Sequence, residues 1–434
     1  MARYDEEQDF DEKRLKRSQR RKRSQMVAYS ILVAIIVLLV ALIAGGVCLI
    51  SGAGKNKGGS AEDGAGQESL EASEEEQAPV IETPEEESQE EAYTEEAMLD
   101  DIVNSVISEM TLEDKVSSLF ITTPEQLTGV DTAVKAGTGT QEALSNYAVG
   151  GIVYAPKNIK STEQISEMLE ATQSYSKYPL FTIIPYQSIS SEAVRENLGI
   201  ADADGLDNAE QTKEAATSIG SAYFNLGFNF AMAPSTDLSE NGFYSADAEL
   251  AKERTLAFAQ GLSESGIATC AHVFPLTNED AAVGLATSDI SRDDLVLGEY
   301  EVFKNLIDNE EIKAIMVTDT SIPSITGDNT PCMFSADVIQ NELRGALGFE
   351  GIVITSPLSD GAITEYYTQA EAAVTAIKSG ADMLYLPEDF TEAYDSLLSA
   401  VQSGTISETR IDESLRRIFA VKYADRVDQI SQEN

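Results

Sequence analysis

The stretch Leu347–Thr355 reads LGFEGIVIT and has the form of a helix end followed directly by a buried strand. Gly348 suits the position after a helix because glycine adopts a left-handed backbone without a steric penalty. The run Gly351–Thr355 is apolar and β-branched without alternation, which is typical of a strand covered on both faces. Strands of this kind belong to parallel sheets that lie between layers of helices.

The same order of helix and strand repeats along most of the chain. The predicted strands are Val116–Ile121, Gly151–Tyr154, Leu180–Ile184, Phe228–Ala233, Ile267–Phe274, Ala314–Thr318, Gly351–Thr355 and Met383–Leu386. Helical patterns lie at Glu163–Tyr175, Asn208–Leu226, Ala248–Ser265, Asp293–Asp308, Ala336–Leu347 and Ala370–Lys378. Eight strands alternating with helices predict an α/β fold, a (β/α)8 barrel of the TIM type. A doubly wound open sheet is the alternative, but no Gly-x-Gly-x-x-Gly follows an early strand to indicate dinucleotide binding.

The N-terminal region has the pattern of a membrane anchor. Residues 26–50 carry no charged side chain, and about 20 apolar residues suffice to cross the hydrocarbon core. The positive-inside rule predicts a single-pass protein of the cell membrane, with residues 1–25 as a basic cytoplasmic segment, 26–50 as a transmembrane signal-anchor helix and the remainder extracytoplasmic. A cleaved signal peptide is the alternative, although its apolar region is usually about 7–15 residues long.

Acidic residues dominate the chain after the predicted anchor. Residues 51–97 hold 15 Asp or Glu against two Lys and almost no large apolar residue, so this segment is expected to be a disordered linker. Residues 98–434, the predicted barrel domain, hold 53 acidic and 19 basic side chains. This charge excludes nucleic acid as a partner, since phosphate binding needs clustered Lys and Arg.

Histidine and cysteine are scarce, which limits metal chemistry. The chain has one His, so a zinc site built on several histidines is excluded. No metal and no cofactor is predicted. Cys270 lies in an apolar run, where a buried free thiol is expected, although a disulfide with Cys332 remains an alternative.

Six segments carry a family resemblance, the first being Met110-Thr111-Leu112-Glu113-Asp114-Lys115-Val116 and the fourth Leu347–Ile354. They resemble glycoside hydrolase family 3, N-terminal domain, in its bacterial β-N-acetylhexosaminidase branch. The resemblance extends over roughly residues 98–423. Its clearest members are Met110–Val116, which is similar to the opening M-T-L-E-E-K-V, and Leu347–Ile354, which is similar to L-G-F-D-G-V-V-V. The other matching segments are Val149–Tyr154, Asn229–Pro234, Ser379–Leu384 and Ile406–Ser414. The resemblance implies the barrel fold and, for the family, hydrolysis of O-glycosyl bonds in carbohydrate metabolism.

The catalytic segments of that family are degenerate in this sequence. The resemblance places Ser356 where the family has its nucleophilic Asp, at the end of the seventh strand. The segment that supplies the acid/base His falls near Leu285, and the family's sugar-binding Lys becomes His272. Pro185 stands where the family has an Asp that holds sugar hydroxyls. A retaining glycosidase needs a nucleophile and an acid/base on opposite faces of the sugar, so the family mechanism is not expected here.

Two carboxylates are weak substitutes for the missing groups. Asp360 follows Ser356 by four residues, and Glu279 lies after the fifth strand. A Ser-His-Asp arrangement of Ser356, His272 and Asp319 is a further alternative, but no Gly-x-Ser-x-Gly elbow supports it.

Four side chains near the carboxyl ends of predicted strands are candidates for ligand binding, because functional groups of barrels gather there. They are Tyr186, Asp237, His272 and Asp319. Helix caps and loop hydrogen bonds are the alternative roles for the two Asp residues.

The sequence therefore predicts a membrane-anchored extracytoplasmic family 3 domain in which catalysis is lost, a pseudoenzyme that binds cell-wall glycan or protein. Peptidoglycan or another N-acetylglucosamine-containing glycan is the expected partner, and the sequence indicates no particular protein partner. One alternative is an active β-N-acetylhexosaminidase that uses rearranged carboxylates. The other is a purely structural surface scaffold.

Overall fold

The computed structural model describes residues 94–200, 208–238, 247–276 and 285–433, with side chains placed as far as residue 426. The predicted cytoplasmic segment, the anchor at 26–50 and most of the predicted linker lie outside these ranges. Within them, no helix combines the length and the apolar character needed to span a membrane. The helix Glu95–Glu109, capped by the Thr94 side chain, begins inside the last three residues of the predicted linker.

Eight short parallel strands form the centre of the fold. They are β1 Phe120–Thr122, β2 Gly151–Val153, β3 Phe181–Ile184, β4 Phe230–Ala231, β5 Ala268–Phe274, β6 Ala314–Val317, β7 Ile352–Thr355 and β8 Leu384–Tyr385. The strand order is β7-β6-β5-β4-β3-β2-β1-β8. A parallel bridge between Ile354 and Met383 joins the two ends of the sheet, giving a nearly closed barrel. The predicted (β/α)8 architecture is confirmed.

Helices cover the outside of the barrel. They are Glu95–Glu109, Leu112–Ser117, Pro124–Thr128, Thr138–Asn146, Thr162–Tyr175, Tyr186–Ile189, Glu192–Leu198, Ala209–Leu226, Ala248–Glu264, Arg292–Leu297, Glu299–Asp308, Pro323–Thr326, Gly361–Thr364, Gln369–Ser379, Phe390–Gln402 and Glu408–Glu433, with 3₁₀ turns at Pro156–Asn158 and Cys332–Phe334 and a π-helix at Asp337–Ala346. The strands between them are buried; every residue of β3 and of β7 is enclosed.

Two predicted elements differ from the structure. The first predicted strand starts too early, because Leu112–Ser117 is a helix whose N-terminus is capped by Thr111, with the Asp114 amide donating to its hydroxyl. The predicted helix Asp293–Asp308 is two helices that meet at Gly298, where φ is −120° and ψ is −96°. A short apolar run fits a buried helix turn as well as a strand, and glycine in a helix interior weakens it.

The buried carboxylate of Asp382 links two helices to the seam of the barrel, which is the place where β7 and β8 meet. Its Oδ2 accepts hydrogen bonds from Arg344 Nη2 at 2.7 Å and from the Val353 amide at 2.9 Å. Its Oδ1 accepts from Ser414 Oγ at 2.7 Å and from Arg417 Nη1 at 3.1 Å. The carboxylate is completely enclosed, and such a charge is tolerated where several donors surround it. The cluster holds β7 and the start of β8 against the π-helix and the C-terminal helix.

The cysteines of the described residues are unpaired. Cys270 in β5 and Cys332 are both free and buried, so the predicted free thiol is confirmed and the disulfide alternative is not formed. Burial raises the pKa of the Cys332 thiol to about 12, which keeps it protonated at neutral pH.

We expect Asp382→Ala to lower the free energy of unfolding by about 3–5 kcal/mol, because it leaves buried guanidinium groups without their counter-charge. The matched control is Asp308→Ala, which removes an exposed carboxylate 2.9 Å from Lys304 on a helix surface and should cost less than about 0.5 kcal/mol. Denaturant unfolding followed by circular dichroism measures both. Equal losses in the two variants would contradict a central role for Asp382.

Candidate functional site

The carboxyl ends of the strands carry two separate groups of polar side chains. The first group lies at the carboxyl ends of β3, β4 and β5 and contains Tyr186, Asp237 and His272. The second lies after β6 and β7 and contains Asp319, Ser356 and Asp360. Since functional groups of (β/α)8 barrels are found at this end, the two groups together form the candidate site.

His272 is held in place by the backbone of the preceding loop. Its amide donates to the Pro234 carbonyl at 3.0 Å, and its carbonyl accepts from the Thr236 amide at 2.9 Å. Its ring is stacked on Tyr186, with ring centroids 6.0 Å apart and planes inclined by 15°. Burial lowers the pKa of His272 to about 4, and nearby Asp237 opposes this shift. The imidazole is therefore neutral at pH 7 and offers one donor and one acceptor.

Asp237 also has a carboxylate neighbour, Glu299, that the sequence did not single out. Glu299 begins the helix Glu299–Asp308 and is half-buried. Burial raises the pKa of the Glu299 carboxyl, and the charges of Asp237 and Asp294 add to the rise. The sequence feature that could have pointed to Glu299 is Gly298, because a glycine inside the predicted helix indicates that a new helix begins at the next residue. Glu299 thus extends the first group toward β6.

Asp319 and Asp360 form the centre of the second group. Asp319 lies two residues after β6 and is 8% exposed, and burial raises the pKa of its carboxyl. Asp360 precedes the short helix Gly361–Thr364. Burial raises the pKa of Asp360 to about 6, and the charge of Asp319 contributes to this shift. A carboxyl with this pKa is partly protonated near neutral pH and is able to donate a proton.

Ser356 directly follows β7 and is 5% exposed. Its amide donates to the Val317 carbonyl of β6 at 2.9 Å. The loop after Ser356 then passes the end of β8, where the Ser359 amide donates to the Leu386 carbonyl at 3.0 Å. Within the loop, the Asp360 amide donates to the Pro357 carbonyl at 3.2 Å. Because this loop is folded rather than extended, Asp360 is brought toward Asp319.

The described residues do not show the hydrogen bonds of a Ser-His-Asp arrangement. Among the described residues, no hydrogen bond joins Ser356, His272 and Asp319. His272 lies in β5 and Ser356 follows β7, with β6 between them. The carboxylate that acts on His272 is Asp237, whereas Asp319 acts on Asp360.

Leu285 has no titrating side chain to replace the acid/base His of the family. Leu285 is partly buried and packs against the hydrophobic core. The next residue, Ala286, accepts a hydrogen bond from the Ser321 amide at 2.7 Å, so this segment lies against the loop after β6. Glu279 lies outside the described residues. Within the described ranges, no three His, Cys, Asp or Glu side chains are grouped to hold a metal ion.

Two tyrosines near strand ends are core residues. Tyr154 is fully buried and packs edge-on against Phe228, with ring centroids 5.9 Å apart. Tyr385 of β8 is 6% exposed. Tyr186 is half-buried and stacks on His272. Of these three rings, Tyr186 is therefore the one that a ligand can reach at the mouth of the barrel, the end where the carboxyl ends of the strands lie.

The fold and the site define a (β/α)8-barrel protein whose polar side chains converge at the carboxyl ends of its strands. Residues 111–421 match the family model described as Glycosyl hydrolase family 3 N terminal domain. This match includes most of the chain, and the chain belongs to that family.

Curated relatives share about a fifth of their residues with this chain. Beta-hexosaminidase A of Pseudoalteromonas piscicida is 22% identical over 324 residues, which are 65% of this chain and 54% of that protein. Beta-hexosaminidase of Idiomarina loihiensis (strain ATCC BAA-735 / DSM 15497 / L2-TR) is 23% identical over 267 residues, 57% of this chain and 79% of that one. The chain thus spans about half the length of the first of these relatives.

Solved structures have the same barrel. The glycoside hydrolase family 3 β-N-acetylglucosaminidase from Paenibacillus sp. str. FPU-7 is similar with a TM-score of 0.65 and 29% identity, over 74% of this chain and 63% of that one. M tuberculosis LpqI has a TM-score of 0.65 at 21% identity, over 74% of this chain and 96% of that one. At that identity the second likeness concerns the fold alone.

The electrostatic coupling between the Asp319 and Asp360 carboxyl groups can be measured directly. We expect Asp319→Asn to lower the pKa of Asp360 from about 6, because a neutral neighbour no longer disfavours ionisation. At pH 5 the Asp360 carboxyl should be mostly protonated in the parent protein and more ionised in the variant. Carboxyl ¹³C chemical shifts followed through a pH titration report this.

The control for this titration is Asp237→Asn, which removes a carboxylate from the first group. It should leave the Asp360 titration unchanged. An Asp360 pKa that responds equally to both substitutions would show that the two groups are not separate.

Proposed function

We propose that this family 3 barrel binds an N-acetylglucosamine-containing glycan, such as peptidoglycan, without hydrolysing it by the nucleophilic mechanism of its family. The observation that carries the proposal is Ser356 at the end of β7. A serine hydroxyl is a weak nucleophile unless a base activates it. Among the described residues, no side chain hydrogen-bonds to the Ser356 hydroxyl. His272 belongs to the first group, where its ring stacks on Tyr186.

Glycan binding is supported by the first group of side chains. The Tyr186 ring and the neutral His272 ring are stacked and both half-buried. Aromatic faces suit the apolar faces of sugar rings, and the Asp237 carboxylate is an acceptor for hydroxyl groups. The relatives named β-hexosaminidase and β-N-acetylglucosaminidase support an N-acetylhexosamine as the sugar.

The proposal includes the location of the barrel. A helix at residues 26–50, with the basic segment before it, would anchor the chain in the cell membrane, and the acidic segment 51–97 would connect it to an extracytoplasmic barrel. Tethering restricts the barrel to glycan near the membrane, which suits the inner surface of a cell wall.

A second candidate is β-N-acetylhexosaminidase activity through rearranged carboxylates. The observation in its favour is the pair Asp319 and Asp360, in which burial and mutual charge raise the pKa of Asp360 to about 6. A protonated carboxyl beside a second carboxylate is the acid and base pairing of many glycosidases. Against it, neither residue stands at the end of β7, where the family places its nucleophile.

Calorimetric titration of the full-length chain with chitotriose tests binding. We expect binding in the parent protein and an affinity reduced about five- to tenfold in Tyr186→Ala, because stacking on an aromatic ring contributes about 1 kcal/mol. Phe224→Ala is the matched control, since this ring is 48% exposed on the helix Ala209–Leu226. Absence of binding in the parent protein would favour a purely structural scaffold. An unchanged affinity in Tyr186→Ala would show that the glycan does not contact the first group.

Turnover of 4-nitrophenyl N-acetyl-β-D-glucosaminide separates the two candidates. We expect no release of nitrophenol above that of a Ser356→Ala preparation, because the described site has no activated nucleophile. Release that disappears in both Asp360→Asn and Asp319→Asn would instead establish the rearranged carboxylates as catalytic. Asp308→Asn, a surface carboxylate variant, serves as the preparation control.

A further inference from the structure

An exposed tyrosine stands on the loop that follows β7. Tyr366 is 55% exposed, and no hydrogen bond or ring contact joins its side chain to the rest of the described chain. The loop connects the carboxyl end of β7 with the helix Gln369–Ser379, so it lies at the same end of the barrel as the candidate site. The Tyr366 ring is therefore open to a ligand that occupies the mouth.

The backbone that carries this ring is fixed by its neighbours. The Tyr366 amide donates to the Ile363 carbonyl at 3.0 Å, and the Tyr367 amide donates to the same carbonyl at 2.9 Å. The Tyr367 ring packs edge-on against Phe334 of the loop after β6, with ring centroids 4.8 Å apart. Of two consecutive tyrosines, one thus anchors the loop and the other is displayed. A ring that is already held in place loses little conformational entropy when a ligand binds to it.

The two loops that meet at this contact carry carboxylates and no basic residue. Residues 318–336, after β6, include Asp319 and Asp328. Residues 356–368, after β7, include Asp360 and Glu365, and neither stretch contains a Lys or an Arg. Such a surface repels anions and offers acceptors for hydroxyl and amide hydrogens. A sugar fits it, since a sugar is neutral and combines an apolar ring face with several hydroxyl groups.

Tyr366 and the first group lie on opposite sides of the mouth. Tyr186 follows β3, and β3 and β7 are separated by β4, β5 and β6 in the eight-stranded barrel, which is half of its circumference. Eight strands about 4.8 Å apart and tilted by about 36° enclose a barrel roughly 15 Å across. A disaccharide is shorter than this span and a hexasaccharide is longer, so only the longer chain can contact both rings.

We propose that Tyr366 is an outer subsite for the glycan bound at the first group, where its ring stacks on a sugar several units along the same chain. The inference rests on the proposed glycan binding and adds to it a dependence on chain length. Between Tyr186 and Tyr366 the glycan passes the Asp360 carboxyl group, which forms hydrogen bonds with sugar hydroxyls. Stacking on the second ring strengthens binding about fivefold.

Calorimetric titration of the full-length chain with N,N′-diacetylchitobiose and with chitohexaose tests the outer subsite. We expect the parent protein to bind chitohexaose about fivefold more tightly than the disaccharide. Tyr366→Ala should weaken chitohexaose by that factor and leave the disaccharide unchanged. Tyr366→Phe keeps the ring and should bind both as the parent protein does. Because the Tyr366 side chain is largely exposed, both variants should fold, which circular dichroism checks.

Two further variants show where each ring acts. Tyr186→Ala removes a ring of the first group and should weaken both oligosaccharides. Phe224→Ala is the matched control for Tyr366→Ala, because Phe224 is similarly exposed, at 48%, near the end of the helix Ala209–Leu226. That end of the helix precedes β4 and lies at the opposite end of the barrel, so this substitution should change neither affinity.

Three results would overturn the outer subsite. They are an unchanged chitohexaose affinity in Tyr366→Ala, equal weakening of both oligosaccharides in that variant, and a loss in Tyr366→Phe as large as in Tyr366→Ala. In each case, disaccharide binding that depends on Tyr186 would leave the glycan proposal standing. A parent protein that binds neither oligosaccharide would instead contradict glycan binding itself, and the outer subsite with it.

Discussion

The buried carboxylate of Asp382 is the constraint on which the barrel depends. A parallel sheet becomes a barrel when its first and last strands meet, and here the seam between β7 and β8 is short, with a bridge at Ile354 and Met383. Asp382 stands beside that seam and accepts hydrogen bonds from the Val353 amide and from arginines on two helices. The desolvation cost of the charge is offset when all of these donors are in place, so strand closure and helix docking occur together.

The closed seam determines the path of the loop after β7 and therefore the chemistry of the mouth. With β8 in place, the backbone of this loop bonds to the Tyr385 and Leu386 carbonyls and folds Asp360 toward Asp319. The same geometry leaves Ser356 apart from His272, because one strand lies between them. The mouth consequently contains a stacked aromatic group and a carboxylate group. This separation is the structural basis for our proposal that the barrel binds glycan without the nucleophilic chemistry of the family.

Burial is the largest cause of the perturbed pKa values at the mouth of the barrel, and it shifts acids and bases in opposite directions. It favours the protonated, neutral form of Asp360 and the deprotonated, neutral form of His272. Both shifts have one physical origin, since a low-dielectric surrounding disfavours whichever form is charged. A chain with 74 acidic and 30 basic residues thus has, at the mouth of its barrel, a carboxyl and an imidazole whose charged forms are both disfavoured by burial.

The sequence by itself determined the eight strands, the parallel barrel and most of the helices, because these follow from local patterns such as the run Ile352–Ile354 and the helix-ending glycines Gly348 and Gly380. It also located Ser356 and Asp319 at strand ends. It misplaced the helix Leu112–Ser117, since a short apolar run does not distinguish strand from buried helix. The tertiary structure alone decided which side chains meet. The coupling of Asp319 with Asp360 and the contact of His272 with Tyr186 join residues far apart in the chain. The loop paths that bring these residues together are set by backbone hydrogen bonds between each loop and the neighbouring strands.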